Sequence, residues 1–260
     1  MVQKFVALGD SFTEGVGDVD LERPNQVRGW ADRVAEVLCA EGDWQYANLA
    51  VRGKKIGQVI NQQLDAALAL RPDLVTLYAG GNDILRPSVD MDSLLGGYGG
   101  MVRRLRASGA QVVLFTGFDT VDSPLFSKTR PRTAVYNELV RAMADEYGAL
   151  LADYWRWREF SDLRYWAVDR LHMNEAGHTL MAQKVLGVLA QAGIVAPELP
   201  GRIQPPQLAE LPVNTRGQRL REDLGWAREH LVPWVQRRLR GTSSGDRLSA
   251  RYPEYVRLSG

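Results

Sequence analysis

Residues 4–18 read KFVALGDSFTEGVGD. An apolar run of strand length, KFVAL, breaks at once into Gly9, Asp10 and Ser11 and a glycine-studded turn. Gly, Asp and Ser are ordinary turn formers, so this stretch alone says only that a buried strand ends here. Its weight comes from what repeats around it. Four further apolar runs follow, WQYANLA (44–50), DLVTLYAG (73–80), AQVVLFTG (110–117) and ALLADY (149–154). Helix-like stretches at 28–41, 56–70, 92–108, 132–147 and 175–193 lie between and after them. Strands alternating with helices of this length imply right-handed βαβ crossovers, hence a parallel sheet covered on both faces. The fold predicted is α/β, a three-layer α/β/α sandwich with five parallel strands. In such sheets ligands collect at the carboxyl ends of the strands, so the residues just after each run carry the functional reading.

The composition excludes several classes. The chain has 260 residues, is 45% hydrophobic and 24% charged, and carries a formal net charge of +1, which gives no overall electrostatic attraction to nucleic acid or to an anionic membrane. No apolar segment approaches the roughly 20 residues a membrane-spanning helix needs, and KFVAL begins too close to Met1 for a cleavable signal peptide, so a cytoplasmic location is expected. The single cysteine, Cys39, has no intrachain partner and reads as a small core residue in WADRVAEVLCAEG. The alternation stops near residue 195. From Glu198 onward eleven arginines stand against seven acidic residues, in a proline-rich connector, an amphipathic helix expected around 215–240 with a break near Pro233, and a Gly/Ser-containing end. The division predicted is a catalytic domain over 1–195 and a basic extension over 196–260.

The strand exits supply a specific set of groups. Strand one ends in Gly9, Asp10 and Ser11; strand two runs through NLAVRG to Gly53; strand three ends in Gly80, Gly81, Asn82 and Asp83; the last helix is preceded by DRLHMNEAGH, with Asp169 and His172 three apart. A serine hydroxyl needs a base within hydrogen-bond reach to become a nucleophile. An imidazole takes and returns a proton near neutral pH, and a carboxylate on its other nitrogen fixes the tautomer. An asparagine amide and glycine N–H groups suit the oxyanion of a tetrahedral intermediate. In order and spacing these blocks resemble those of the SGNH hydrolases, the GDSL esterase/lipase family. The resemblance covers residues 4–193 and implies a flavodoxin-like sheet, Ser11 as nucleophile, His172 as base supported by Asp169, and an oxyanion hole of the Ser11 and Gly53 amides with Asn82. GDSF stands where the family's nickname has GDSL, at a packing position. The second glycine of a G-x-S-x-G elbow is absent from GDSFT.

The expectation is therefore a serine esterase acting on a small-molecule carboxylic ester through an acyl-enzyme, with no cofactor, no metal, no nucleic-acid partner and no stable membrane insertion. An acyltransferase or thioesterase would use the same triad, and a catalytically idle binding module with a basic tail is the reading of another class. Three histidines on separate elements make a poor metal site. His178 reads as structural at a helix entry, His230 as remote in the extension, Asp10 as a turn residue and Asp83 as a loop-holding acceptor. The segment 117–133 is long for a connection and is expected to overhang the pocket. In the extension, Trp226, Leu231, Trp234, Val235 and Leu239 form an apolar stripe beside Arg237, Arg238 and Arg240, read as packing on the catalytic domain in preference to a membrane-surface helix.

Overall fold

Alternate side chains of a strand face opposite ways, and KFVAL buries both sets. Phe5 and Ala7 join one apolar cluster and Val6 and Leu8 another, all four without exposure. A computed structural model describes residues 2–86, 89–120, 126–210, 225, 226, 228, 229, 232, 233 and 243–259. The strands are β1 (Gln3–Gly9), β2 (Trp44–Asn48), β3 (Leu74–Tyr78), β4 (Gln111–Phe115), β5 (Leu150–Ala152) and β6 (Tyr252–Val256), in the order β5-β4-β3-β1-β2-β6. The helices are α1 (Ser11–Glu14), α2 (Trp30–Glu41), α3 (Ile56–Leu70), α4 (Gly81–Ile84), α5 (Met91–Ala107), α6 (Arg130–Tyr147) and α7 (Glu175–Gln191).

The two clusters make the three layers. On one face Trp30, Val34 and Leu38 of α2 meet Met181, Val185 and Leu189 of α7. On the other, Ile56 and Leu64 of α3, Tyr98 and Met101 of α5 and Tyr136 and Val140 of α6 pack together. Strands β1 to β5 are parallel, and their order is that of a flavodoxin-like sheet. The chain leaves β1 toward β2 on one side and returns past β1 to β3 on the other, so the exits of β1, β2 and β3 meet at the crevice where the order reverses.

The five expected parallel strands are all present, and one further strand joins them. β6 adds a sixth, antiparallel to β2, with Tyr46 opposite Val256 and Asn48 opposite Tyr252. Its sequence, YPEYV, hides it: Pro253 has no N–H for a ladder and Pro253 and Glu254 are exposed, which an edge strand tolerates and a central one does not. The helix expected over 215–240 lies almost entirely outside the described residues, as do His230, Leu231, Trp234, Val235, Leu239, Arg237, Arg238 and Arg240. Trp226 is described, and its indole N–H donates to the Val168 carbonyl at 2.8 Å while the Arg170 guanidinium lies 4.9 Å from its ring centre. Among the described residues no helix is long and apolar enough to cross a membrane.

Candidate active site

The exit of β1 is shaped by Gly9, whose φ is +144° and whose Cβ, if it had one, would stand 2.2 Å from the Tyr78 carbonyl oxygen of the neighbouring strand. Only glycine fits there. The buried amide of Gln63 on α3 fixes the same residue, donating to its carbonyl at 2.8 Å and accepting from its N–H at 2.9 Å. The chain then turns into α1 with Asp10 as N-cap, accepting from the Phe12 N–H at 3.2 Å, and Ser11 as the first helical residue. A first-turn residue has a peptide N–H that the helix leaves unclaimed. Phe12 packs among aromatic rings, 4.7 Å from Tyr78 and 5.5 Å from both Trp30 and Phe115, which is why a bulky apolar side chain follows the serine.

Two loops face this turn. Gly53, after β2, has φ +80°. Asn82, on α4 after β3, donates through its amide nitrogen to Asp10 at 3.0 Å and to the Lys54 carbonyl at 3.1 Å, so its carboxamide is held between the first and second strand exits. Asp83 accepts from the Ile56 N–H at 3.0 Å and ties the α4 loop to the start of α3, with burial pushing its carboxyl up.

The loop before α7 supplies the imidazole. Asp169 accepts from the backbone N–H groups of Leu171 and His172, each at 3.0 Å, and from His172 Nδ1 at 2.6 Å. Burial alone would raise the Asp169 carboxyl, but the hydrogen bond and charge of His172, joined by the two backbone donors, outweigh it and hold it at about 2. Arg170, inside this turn, sits at φ 53°, left-handed backbone that a non-glycine residue adopts at a cost. His178 is different. Its Nδ1 accepts from the Trp30 N–H and its Nε2 donates to the Val16 carbonyl, each at 3.2 Å, and complete burial drives its pKa down to about 3. It is a neutral bridge between α7 and the loop after α1.

Ser11, Gly53, Asn82 and His172 all line one cavity of about 310 Å³, with Asp169 behind His172 on Nδ1. His172 Nε2 is left as the ring nitrogen available to a partner. The 117–133 connection contributes Phe118, Thr120, Phe126, Thr129 and Thr133 to the wall; its residues 121–125 lie outside the described ones. Sequence reading missed five neighbours. Glu14, fully buried, pairs with Arg52 at 2.8 Å; Arg251 is buried from the far end of the chain; and Ser243, Ser244 and Asp246 line the cavity itself. SFTEG reads as a polar turn, and nothing local marks a partner 38 positions away.

Similar folds occur among solved structures. TesA is 23% identical over 73% of this chain and 99% of its own, with a TM-score of 0.59. The acetylxylan esterase Axe2 from Geobacillus stearothermophilus is 20% identical over 72% of this chain and 94% of its own, with a TM-score of 0.59. The psychrotrophic esterase EstA from Pseudoalteromonas sp. is 19% identical over 73% and 98%, with a TM-score of 0.58. No curated protein matches the chain. At these identities the likeness is one of fold. The model of the GDSL-like lipase/acylhydrolase family, by contrast, matches residues 7–180, a span that contains all five residues singled out at the strand exits and before α7. The chain therefore belongs to the GDSL-like lipase/acylhydrolase family, and is an ester-hydrolysing serine hydrolase.

Proposed function

We propose that the chain hydrolyses a small-molecule carboxylic ester through an acyl-enzyme on Ser11, with His172 and Asp169 completing the triad. One observation carries this reading: the serine, the imidazole with its carboxylate at 2.6 Å, Gly53 and Asn82 converge on one cavity from four separate segments. His172 Nε2 takes the Ser11 hydroxyl proton as Oγ attacks the ester carbon, and anionic Asp169 stabilises the imidazolium that forms. The tetrahedral oxyanion receives the Ser11 and Gly53 N–H groups and the Asn82 amide. In the resting enzyme Asn82 already donates to Asp10 and to Lys54, so the substrate oxygen must share one of those hydrogens. Collapse of the intermediate breaks the ester C–O bond, and His172 returns the proton to the departing alcohol. Water then attacks the acyl-enzyme, giving its proton to His172, and the second collapse restores the Ser11 hydroxyl and releases the acid.

Phe118, Phe126, Trp166 and Leu171 give the cavity an apolar side for the acyl group, while Lys54 and Arg86 line it near Asn82. The test is a p-nitrophenyl ester series of increasing chain length on the wild type and on Ser11→Ala. Loss of at least about 10³-fold in kcat is expected for Ser11→Ala, and Asn82→Ala should lose about 10²- to 10³-fold. Turnover surviving in Ser11→Ala would overturn the assignment. Adding an acceptor alcohol to the same assay distinguishes hydrolysis from transfer, because a transferase would convert the acyl-enzyme to a new ester.

A further inference from the structure

The family match ends at residue 180, yet a segment beyond it reaches the cavity. Residues 244–247 form a turn directly after Ser243, closed by the Asp246 carboxylate accepting from the Ser243 N–H at 2.7 Å and by Ser243 Oγ accepting from the Gly245 N–H at 3.1 Å. The Ser243 hydroxyl donates to the Arg52 carbonyl at 3.3 Å. That carbonyl and the Gly53 N–H belong to one rigid trans peptide unit and point opposite ways, so holding the one directs the other. The packing is close on both residues. A Cβ on Gly53 would fall 1.8 Å from Ser243 Oγ, and a Cβ on Gly245 would fall 2.1 Å from the Arg52 carbonyl oxygen.

The turn is anchored from both sides. The Glu14 carboxylate, without exposure, accepts from the Arg52 N–H at 2.5 Å and from its guanidinium at 2.8 Å, fixing the preceding peptide. Downstream of the turn, Arg251 forms a fully buried pair with Asp32 at 2.6 Å. Its guanidinium also donates to the carbonyls of Glu14 at 2.9 Å, Pro24 at 3.0 Å and Val27 at 2.5 Å. A buried guanidinium with this many acceptors is held in one place, because breaking any of them leaves polar groups unpaired away from water. β6 then pairs with β2, the strand that leads into Arg52 and Gly53.

We propose that the C-terminal turn is a working part of the active site, with Ser243 as a positioning residue that aims the Gly53 N–H at the oxyanion and Glu14 as the second hold on the same loop. The inference rests on the assignment of Gly53 to the oxyanion hole made above. Ser243→Ala removes the hydroxyl and nothing else; Ser243→Thr restores it. The expected result for Ser243→Ala is a loss of about tenfold in kcat with KM unchanged, the scale of one neutral hydrogen bond. Binding of an alkyl boronic acid, which presents a tetrahedral oxyanion, should weaken by the same factor, Ser243→Thr should recover most of the loss, and the melting temperature should stay at the wild-type value. Glu14→Gln, which keeps the shape and removes the charge, should lose kcat in the same manner and serves if Ser243→Ala fails to fold. The Gly53 amide resonance in a ¹⁵N–¹H spectrum should move in Ser243→Ala and stay in Ser11→Ala. Wild-type kcat in both Ser243→Ala and Glu14→Gln, with Ser11→Ala inactive, would overturn the role of the turn while leaving the esterase reading intact. An unmoved Gly53 resonance would overturn it even if the wild type turned over no ester, the result that would instead sink the esterase reading.

Discussion

Asp10 and Asp169 are the same side chain beside the same cavity, and the turn after β1 and the loop before α7 treat them oppositely. Burial raises both. At Asp10 burial dominates: the Phe12 N–H, the charge of His172 and the Asn82 amide offset it only in part, Asp83 adds to it, and the carboxyl is pushed up to about 7. Asp169 receives an imidazole and two backbone N–H groups and is held at about 2. Asp10 is buried while the Asp169 side chain is one-third exposed and holds the imidazole, so depth of burial and the donors together decide which carboxylate is ionised. Asp169 is therefore an anion at any working pH, fit to stabilise an imidazolium, whereas Asp10 titrates near neutrality and orients Asn82.

The largest effect that tests this contrast is kinetic. Asp169→Asn should cost about 10³- to 10⁴-fold in kcat, because the imidazole loses both its tautomer and its counter-charge. Asp10→Asn should cost about tenfold or less, since a neutral acceptor replaces a part-ionised one. Equal losses in a p-nitrophenyl ester assay would erase the distinction.

Stability sharpens it next. Asp10 has a raised folded pKa, so its contribution is fully present below about 3.8 and is lost as pH rises to about 7. Asp10→Asn should therefore match the wild type near pH 4 and exceed it above pH 7 by as much as about 4 kcal/mol in urea unfolding. His178 acts with the opposite sign. Its folded pKa is depressed to about 3 from 6.5, so its contribution is present above 6.5 and lost as pH falls toward 3. His178→Gln should flatten the acid side of the stability curve by about 3 kcal/mol between pH 6.5 and 4 while leaving the Asp169–His172 contact in place. A curve unchanged by the substitution would show that His178 is not the buried neutral bridge.

The smallest effect belongs to Asp169. Its depressed pKa gives stability present above about 3.8 and lost as pH falls through about 2. The side chain is one-third exposed, so solvent screening reduces the contribution to about 1 kcal/mol. Acid unfolding of Asp169→Asn followed from pH 4 to 2 should lack that increment.

What could be read in advance was local. KFVAL and its four successors carry their burial in their own composition, and the Asp169 to His172 spacing closes a turn through backbone donors at positions 171 and 172. β6 escaped because a short edge strand with a proline lacks the pattern of a buried one. Glu14 with Arg52, and Arg251 with Asp32, escaped because partners 38 and 219 positions apart leave no periodic trace in the chain.

The sequence by itself determined the alternation of strands and helices, the rim on which chemistry collects, and the residue types placed there, since each follows from short-range periodicity and turn chemistry. The tertiary structure alone decided which of the two aspartates is charged, and that the far end of the chain returns to the Gly53 loop. Those outcomes depend on water exclusion and on donors brought from distant segments, and both exist only once the layers have closed.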